Sequence, residues 1–463
     1  MRIVSVFAAI AVCGLCSPPA WCQTQPGAAD YVAKAEALIG GYVKDGRFTG
    51  SVLVARDGRP ILREGFGPAN REWAIADAPD TEFRLGSLTK QFTAAAILQL
   101  AEQGKLKLDD PIGKYYLAAP KAWDKVTLAL LLSHRSGIPD YTEISGFFRG
   151  PARLDRTPEE IIALTRDQPL DFTPGEKFKY DNSGYILLGY VIEKVSGQTY
   201  ADYLRDHILQ PLGMTHTGYE VSDDILPHRA AGYVKAKGDW KNASYLSMTV
   251  PYAAGSLYST VDDLLLWDQA LYAAKPLHRA SLDAMFTDHG ESYGYGFVIE
   301  KAGGRRLWWH NGGINGFHTY FARYPDQRLT VIVLSNFESA PVEKIGLQLA
   351  RLSFGEPIDP QPKPGQVPHA GTEAALRHLI GELRTGQVNF DEMSPALADL
   401  VRPQLGAIKA LFGQAGALKS LTFSGVSDAG ADIYAAKFES GALEWRIMLD
   451  AKGKIILLSS SNG

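Results

Sequence analysis

Ser87-Leu88-Thr89-Lys90-Gln91-Phe92-Thr93-Ala94-Ala95-Ala96-Ile97-Leu98-Gln99-Leu100-Ala101-Glu102-Gln103-Gly104 is the stretch on which the reading of the whole chain turns. From Phe92 to Ala101 it leaves little polar face, and Gly104 stops the pattern, so it reads as a helix buried on most sides. Ser87 then lies at the helix N-terminus, with Lys90 one turn on and on the same face. A lysine entering an apolar helix needs a reason. Burial disfavours the ammonium, lowers its pKa toward neutrality and makes the amine a candidate base for the hydroxyl beside it. Backbone N–H groups at the helix start can stabilise an oxyanion. The plain alternative is an N-cap serine beside a surface lysine.

A second serine competes. Gly290-Glu291-Ser292-Tyr293-Gly294 fits the G-x-S-x-G elbow, which needs a strand before the serine and a helix after it. Thr287-Asp288-His289 precedes it as a polar turn and Tyr293 to Glu300 follows as a strand, so the element order is wrong and Ser292 is set aside.

Working outward, strand-like pieces near the start (Gly50 to Ala55, Pro60 to Gly65) and near residues 293–335 (Tyr293 to Glu300, His318 to Tyr324, Leu329 to Ser335) flank a long middle rich in helical pattern. That distribution predicts one sheet assembled from both ends of a domain, with a helical subdomain inserted. Pro357, Pro360, Pro362, Pro364 and Pro368 make residues 356–368 a stiff tether and a domain boundary. Beyond it, helices at Thr372 to Thr385 and Pro395 to Phe412, the latter interrupted near Pro403, precede strands at Leu418 to Phe423, Ile433 to Phe438, Leu443 to Leu449 and Ile455 to Leu458. The expected layout is a leader at 1–22, a catalytic domain at 23–355, the linker, and a small α+β module at 369–463.

The composition excludes several classes. With 463 residues, 46% hydrophobic and 21% charged, the chain is an ordinary globular protein, not a disordered or fibrous one. A formal charge of −4 with no basic run gives no reason to expect nucleic acid. Arg2, an apolar stretch from Ile3 to Leu15, and Ser17-Pro18-Pro19-Ala20-Trp21-Cys22 have the order of a secretory signal peptide, too short for the ~20 residues of a membrane span. The expected location is therefore periplasmic or secreted, with no membrane span after processing. Cys13, Cys16 and Cys22 are the only cysteines, so the processed chain has no thiol nucleophile or cysteine-ligated metal. The histidines form no H-E-x-x-H pattern, and neither a metal nor another cofactor is expected.

Ser87-x-x-Lys90, Tyr180-Asp181-Asn182 and His310-Asn311-Gly312 occur in that order, and with them the chain resembles the serine β-lactamase and penicillin-binding-protein superfamily, whose three motifs read S-x-x-K, Y-x-N and K-T-G or H-x-G. Leu130 to Pro139, Phe172 to Glu176, Pro211 to Met214 and Gly255 to Leu264 are similar to its class C β-lactamase, DD-peptidase and esterase branch. The resemblance covers about residues 30 to 350. On element order alone, the C-terminal module resembles a cystatin-like or nuclear-transport-factor-like fold.

The resemblance implies an α/β (α+β) β-lactamase-like fold, an antiparallel sheet flanked by helices with an inserted helical subdomain. It implies that Ser87 forms an acyl-enzyme, that Lys90 and Tyr180 share the general-base role with the phenolate favoured by the adjacent ammonium, and that Asn182 orients Lys90 and the substrate amide. The third motif is expected on the edge strand facing the serine, with Gly312 in it and Gly313 donating the second oxyanion-hole N–H. His310 departs from the lysine of K-T-G. Mostly neutral at pH 7, it weakens the antibiotic reading and favours an esterase or D-amino-acid peptidase acting on a small-molecule or peptide substrate. A β-lactamase or DD-carboxypeptidase is the alternative, and a non-catalytic peptidoglycan-binding or sensor protein the second. Oligomeric state is left open.

Overall fold

The computed structural model describes residues 28–236, 238–358, 366–427 and 430–462. The leader expected at 1–22, with all three cysteines, and residues 359–365 of the expected linker lie outside the described residues.

Six strands form one sheet: β1 (Gly50–Arg56), β2 (Arg59–Phe66), β3 (Val298–Ala302), β4 (Arg305–Ile314), β5 (Phe317–Tyr324) and β6 (Leu329–Ser335). Their order is β3-β4-β5-β6-β1-β2 with every neighbouring pair antiparallel. Gly50 pairs with Ser335, so the two distant parts of the sequence do close one sheet. The apolar runs of β1 and β6 are nearly continuous because both faces are covered. Their period of two divides them: Leu53, Ala55, Ile332 and Leu334 enter one core, and Val52, Val54, Val331 and Val333 the other.

Five helices matter for the site: α1 (Ala28–Lys44), α2 (Thr89–Glu102), α3 (Asn182–Ser196), α4 (Val261–Tyr272) and α5 (Val342–Ser353). Helices α1 and α5 cover the second core, while α2, α3 and α4 build the first. Every residue of α2 from Thr89 to Leu100 is buried. A helix so enclosed has no face on which Lys90 could reach water.

Two strand expectations change. The segment expected to be a strand from Tyr293 onward enters the sheet only at Val298. Gly296 has φ +75°, and a Cβ there would lie 2.9 Å from the Lys90 carbonyl, so this loop presses on the start of α2 instead of pairing. Strand β4 mixes arginine, tryptophan and glycine, and only the resemblance pointed to it. It is not an edge along its whole length: β3 pairs with Arg305 to Trp309 and stops, leaving His310 to Ile314 free on that side.

The C-terminal unit consists of α6 (Thr372–Thr385), α7 (Pro395–Val401), α8 (Leu405–Ala415) and the antiparallel meander β7 (Leu418–Val426), β8 (Asp432–Phe438), β9 (Gly441–Leu449) and β10 (Ile455–Asn462). Its core comes from its own residues, among them Leu376, Phe412, Tyr434 and Trp445.

Candidate active site

Ser87 sits in the single 3-10 turn Gly86–Leu88 that leads into α2. Two glycines let the turn meet the free end of β4. A Cβ on Gly312 would lie 1.9 Å from the Leu85 carbonyl and 3.0 Å from the Ser87 nitrogen. One on Gly86, at φ +55°, would lie 3.0 Å from the Gly313 carbonyl. Thr319 on β5 donates its hydroxyl to the Leu85 carbonyl at 2.8 Å and secures the contact. Gly313 itself faces open space, so its backbone borders the cavity into which Ser87 opens.

Lys90 is fully buried. Its Nζ lies 3.0 Å from Ser87 Oγ, 2.8 Å from Asn182 Oδ1 and 3.0 Å from the Ala254 carbonyl. Desolvation brings its pKa down to about 7, against the opposing pull of Asp140 and Asp181. Burial therefore favours the neutral amine, whose lone pair the serine hydroxyl can meet.

Tyr180 departs from expectation. Its hydroxyl is buried and closes no hydrogen bond of good geometry. Desolvation raises its pKa, and the lowering effect of Ser87 is too small to offset this, while Asp140 and Asp181 push it further up. Lys90 does lie over the ring, 4.8 Å from its centroid. Burial and the neighbouring carboxyls thus disfavour the Tyr180 phenolate.

His310 also differs. Its ring is 2% exposed and does not line the cavity. Nε2 pairs with the Tyr293 hydroxyl at 2.9 Å and Nδ1 with the Asn311 carbonyl at 2.6 Å. Desolvation, helped by the charge of Lys90, lowers its pKa to about 3 although the Asn311 bond opposes this. Burial disfavours its charged form, and the ring is held between Tyr293 and the Asn311 carbonyl instead of lining the cavity where a substrate-binding residue was expected. Ser292 lies in a turn at φ +60°, with no helix after it.

Sequence reasoning passed over the support beneath these groups. Asp140, buried, accepts from Asn182 Nδ2 at 2.8 Å and from the Asn182 backbone at 3.2 Å. Asp181 caps α3 by accepting from the Gly184 N–H at 3.0 Å, and burial raises its pKa well above the carboxylate range. His134, also buried, accepts the Asp181 N–H on Nδ1 at 3.1 Å and packs its ring 4.3 Å from that of Tyr180. Asp140 follows directly on the Leu130 to Pro139 segment; a carboxylate between Ile138-Pro139 and Tyr141 was the available signal.

The cavity above Ser87 has a volume of about 740 Å³, in the range that holds a small organic ligand or short peptide. Tyr141, Phe148 and Leu246 give it apolar surface, and Arg149 and Glu338 are its charged lining residues. Among the described residues no group of three or more ligating side chains could hold a metal, and no helix is long and apolar enough to cross a membrane.

The family model described as Beta-lactamase matches residues 35–353. A penicillin-binding protein of Bacillus subtilis (strain 168) is 32% identical over 357 residues, covering 71% of this chain and 78% of that protein. Among solved structures, the octameric penicillin-binding protein homologue from Pyrococcus abyssi is similar with a TM-score of 0.65 and 25% identity, over 93% of this chain and 96% of its own. That share extends past residue 355 into the C-terminal unit. A D-stereospecific amidohydrolase from Streptomyces sp. is similar with a TM-score of 0.58 and 28% identity, over 68% of this chain and 97% of its own.

Proposed function

The chain belongs to the Beta-lactamase family and is a serine hydrolase of the β-lactamase and penicillin-binding-protein superfamily, and from that premise we propose that it is a secreted esterase or D-amino-acid peptidase working through an acyl-serine at Ser87. The observation that carries the reading is the 3.0 Å contact between Ser87 Oγ and a buried Lys90 whose pKa lies at about 7.

Ser87 Oγ attacks the carbonyl and its proton passes to the Lys90 amine. Lys90, and not Tyr180, is the base, because only the amine is substantially deprotonated at neutral pH. The N–H groups of Ser87 and Gly313 hold the oxyanion, which Gly312 and Gly86 permit by letting the two backbones touch. The leaving group takes the proton that Lys90 received from Ser87, with Tyr180 lining the cavity beside them. Water then cleaves the acyl-enzyme with Lys90 as base again. Asn182 holds Lys90 through Oδ1.

A neutral, buried His310 supplies no charge for a substrate carboxylate, which favours esters and amides over penicillins. The name of the B. subtilis relative favours the alternative of a penicillin-binding activity. One experiment separates them. A fluorescent phosphonate should label wild type and Ser292→Ala but not Ser87→Ala, and p-nitrophenyl esters and D-alanyl peptides should be turned over faster than nitrocefin. Labelling of Ser87→Ala would remove the mechanism, and nitrocefin as the best substrate would replace the esterase reading by the alternative.

A further inference from the structure

Asp140 is a buried carboxylate with no Lys or Arg in ion-pair contact among the described residues. Its Oδ1 accepts the Thr142 N–H at 2.9 Å and so caps the short turn Tyr141–Glu143. A neutral serine or asparagine caps such a turn as well, and burying a charge is costly. Its other oxygen points to why a charge is there. Oδ2 receives the backbone N–H of Asn182, the first residue of α3, and also the side-chain amide of that residue.

A primary amide has a donor end and an acceptor end, and only one orientation serves the site. With Nδ2 held by Asp140 at 2.8 Å and facing Thr142 Oγ1 at 3.4 Å, Oδ1 is turned onto Lys90 Nζ at 2.8 Å. The reversed amide would set an N–H₂ against the amine and a carbonyl against a carboxylate, so a carboxylate under Asn182 forbids the flip. We propose that Asp140 is a positioning residue for the reaction at Ser87, holding the Asn182 amide in the orientation that presents Oδ1 to Lys90 and supplying the negative charge beneath that amine. The proposal rests on the reading of Ser87 as nucleophile and Lys90 as base.

The charged and titratable groups facing Lys90 come from several elements. Asp140 and Asp181 favour its protonation. Burial lowers the pKa of His134 and His310 in its vicinity. The rings of Tyr180 and Tyr185 lie 4.8 and 5.4 Å away. Asp140 is the carboxylate that opposes desolvation most. Removing its charge while keeping its shape therefore lets Lys90 lose its proton at lower pH.

The test compares wild type, Asp140→Asn and Asp140→Ala. The measurements are kcat and KM for neutral p-nitrophenyl acetate against pH, and the rate of phosphonate labelling at Ser87 against pH. In Asp140→Asn the acid limb of both profiles is expected to move down by on the order of half a pH unit or more. In Asp140→Ala, kcat is expected to fall by about tenfold or more with KM little changed, because the amide is free to reverse. A residue that merely capped the turn or the N-terminus of α3 would lower stability and leave the acid limb in place. An unmoved limb in a folded, labelled Asp140→Asn protein overturns the inference alone. Absence of labelling at Ser87 in wild type overturns the nucleophile reading and the inference together.

Discussion

Around Ser87, the side chains of Lys90, His134, Asp140, Asp181 and His310 are all buried, two of them, His134 and Asp181, with one polar atom left over after their hydrogen bonds are made. In the C-terminal unit the buried polar residues are Thr372 and Asp432, and these satisfy each other. There Asp432 receives the backbone N–H and the ring of His369, each at 2.7 Å, and Thr372 also meets the Tyr434 hydroxyl at 2.9 Å. Unpaired buried polarity costs stability and persists where something else requires it. The first unit carries such atoms in several places, among them Trp123 Nε1 and Arg323 Nη1, and near Ser87 they gather as His134 Nε2, Tyr180 Oη and Asp181 Oδ1. The second leaves Trp445 Nε1 so among its described residues and uses Thr372 and Asp432 to fasten the entering chain.

Substituting His310→Lys makes the sharpest test of that contrast. A charge forced into the buried position beside Lys90 should cost about 3 to 5 kcal/mol at pH 7, read by urea denaturation. The sign with pH follows from linkage. The new lysine has a depressed pKa when folded and about 10.4 when unfolded, so stability rises with pH between the two values and the deficit shrinks toward pH 10. Unchanged stability with a gain in turnover of carboxylate-bearing substrates would place the ring in the cavity and undo the contrast.

For Asp432→Ala a smaller and more local effect is expected. Leaving the His369 N–H and ring without their acceptor, and Thr372 without one of its partners, should destabilise the C-terminal unit by about 2 kcal/mol, seen as faster amide exchange in β7 to β10, with ester hydrolysis unaltered. A matching fall in activity would mean that the two units share more than a chain.

The smallest effect is expected from ending the chain at Ile358. Glu356 is kept because Arg305 donates to it at 2.7 Å. If the catalytic and C-terminal units fold independently, kcat/KM for a p-nitrophenyl ester stays within about two-fold of the full chain. An insoluble or inactive product from a chain whose full-length form is active would reject the boundary at residues 356–368.

How far the sequence could be read follows from distance along the chain. Ser87 and Lys90 are three residues apart on one helix, so the apolar run from Phe92 onward was enough to put them on a common face. The sheet was visible because β1 and β6 are buried on both sides and so are nearly continuous apolar runs. Strand β4 was not, since its residues satisfy three local demands at once: arginines toward the surface, tryptophans on the sheet and glycines against Ser87. Asp140 lies 42 residues from Asn182, and no periodicity connects them.

The sequence alone determined which groups are present and which are neighbours along one element: a serine and a lysine on an apolar helix, a sheet drawn from two distant segments, and helices followed by a strand meander after the prolines. The tertiary structure alone decided the protonation of those groups. Desolvation depends on every atom around a side chain, whichever part of the chain supplies it. That is why burial lowers the pKa of Lys90 and His310 and raises that of Tyr180, and why the His310 ring lies outside the residues that line the cavity.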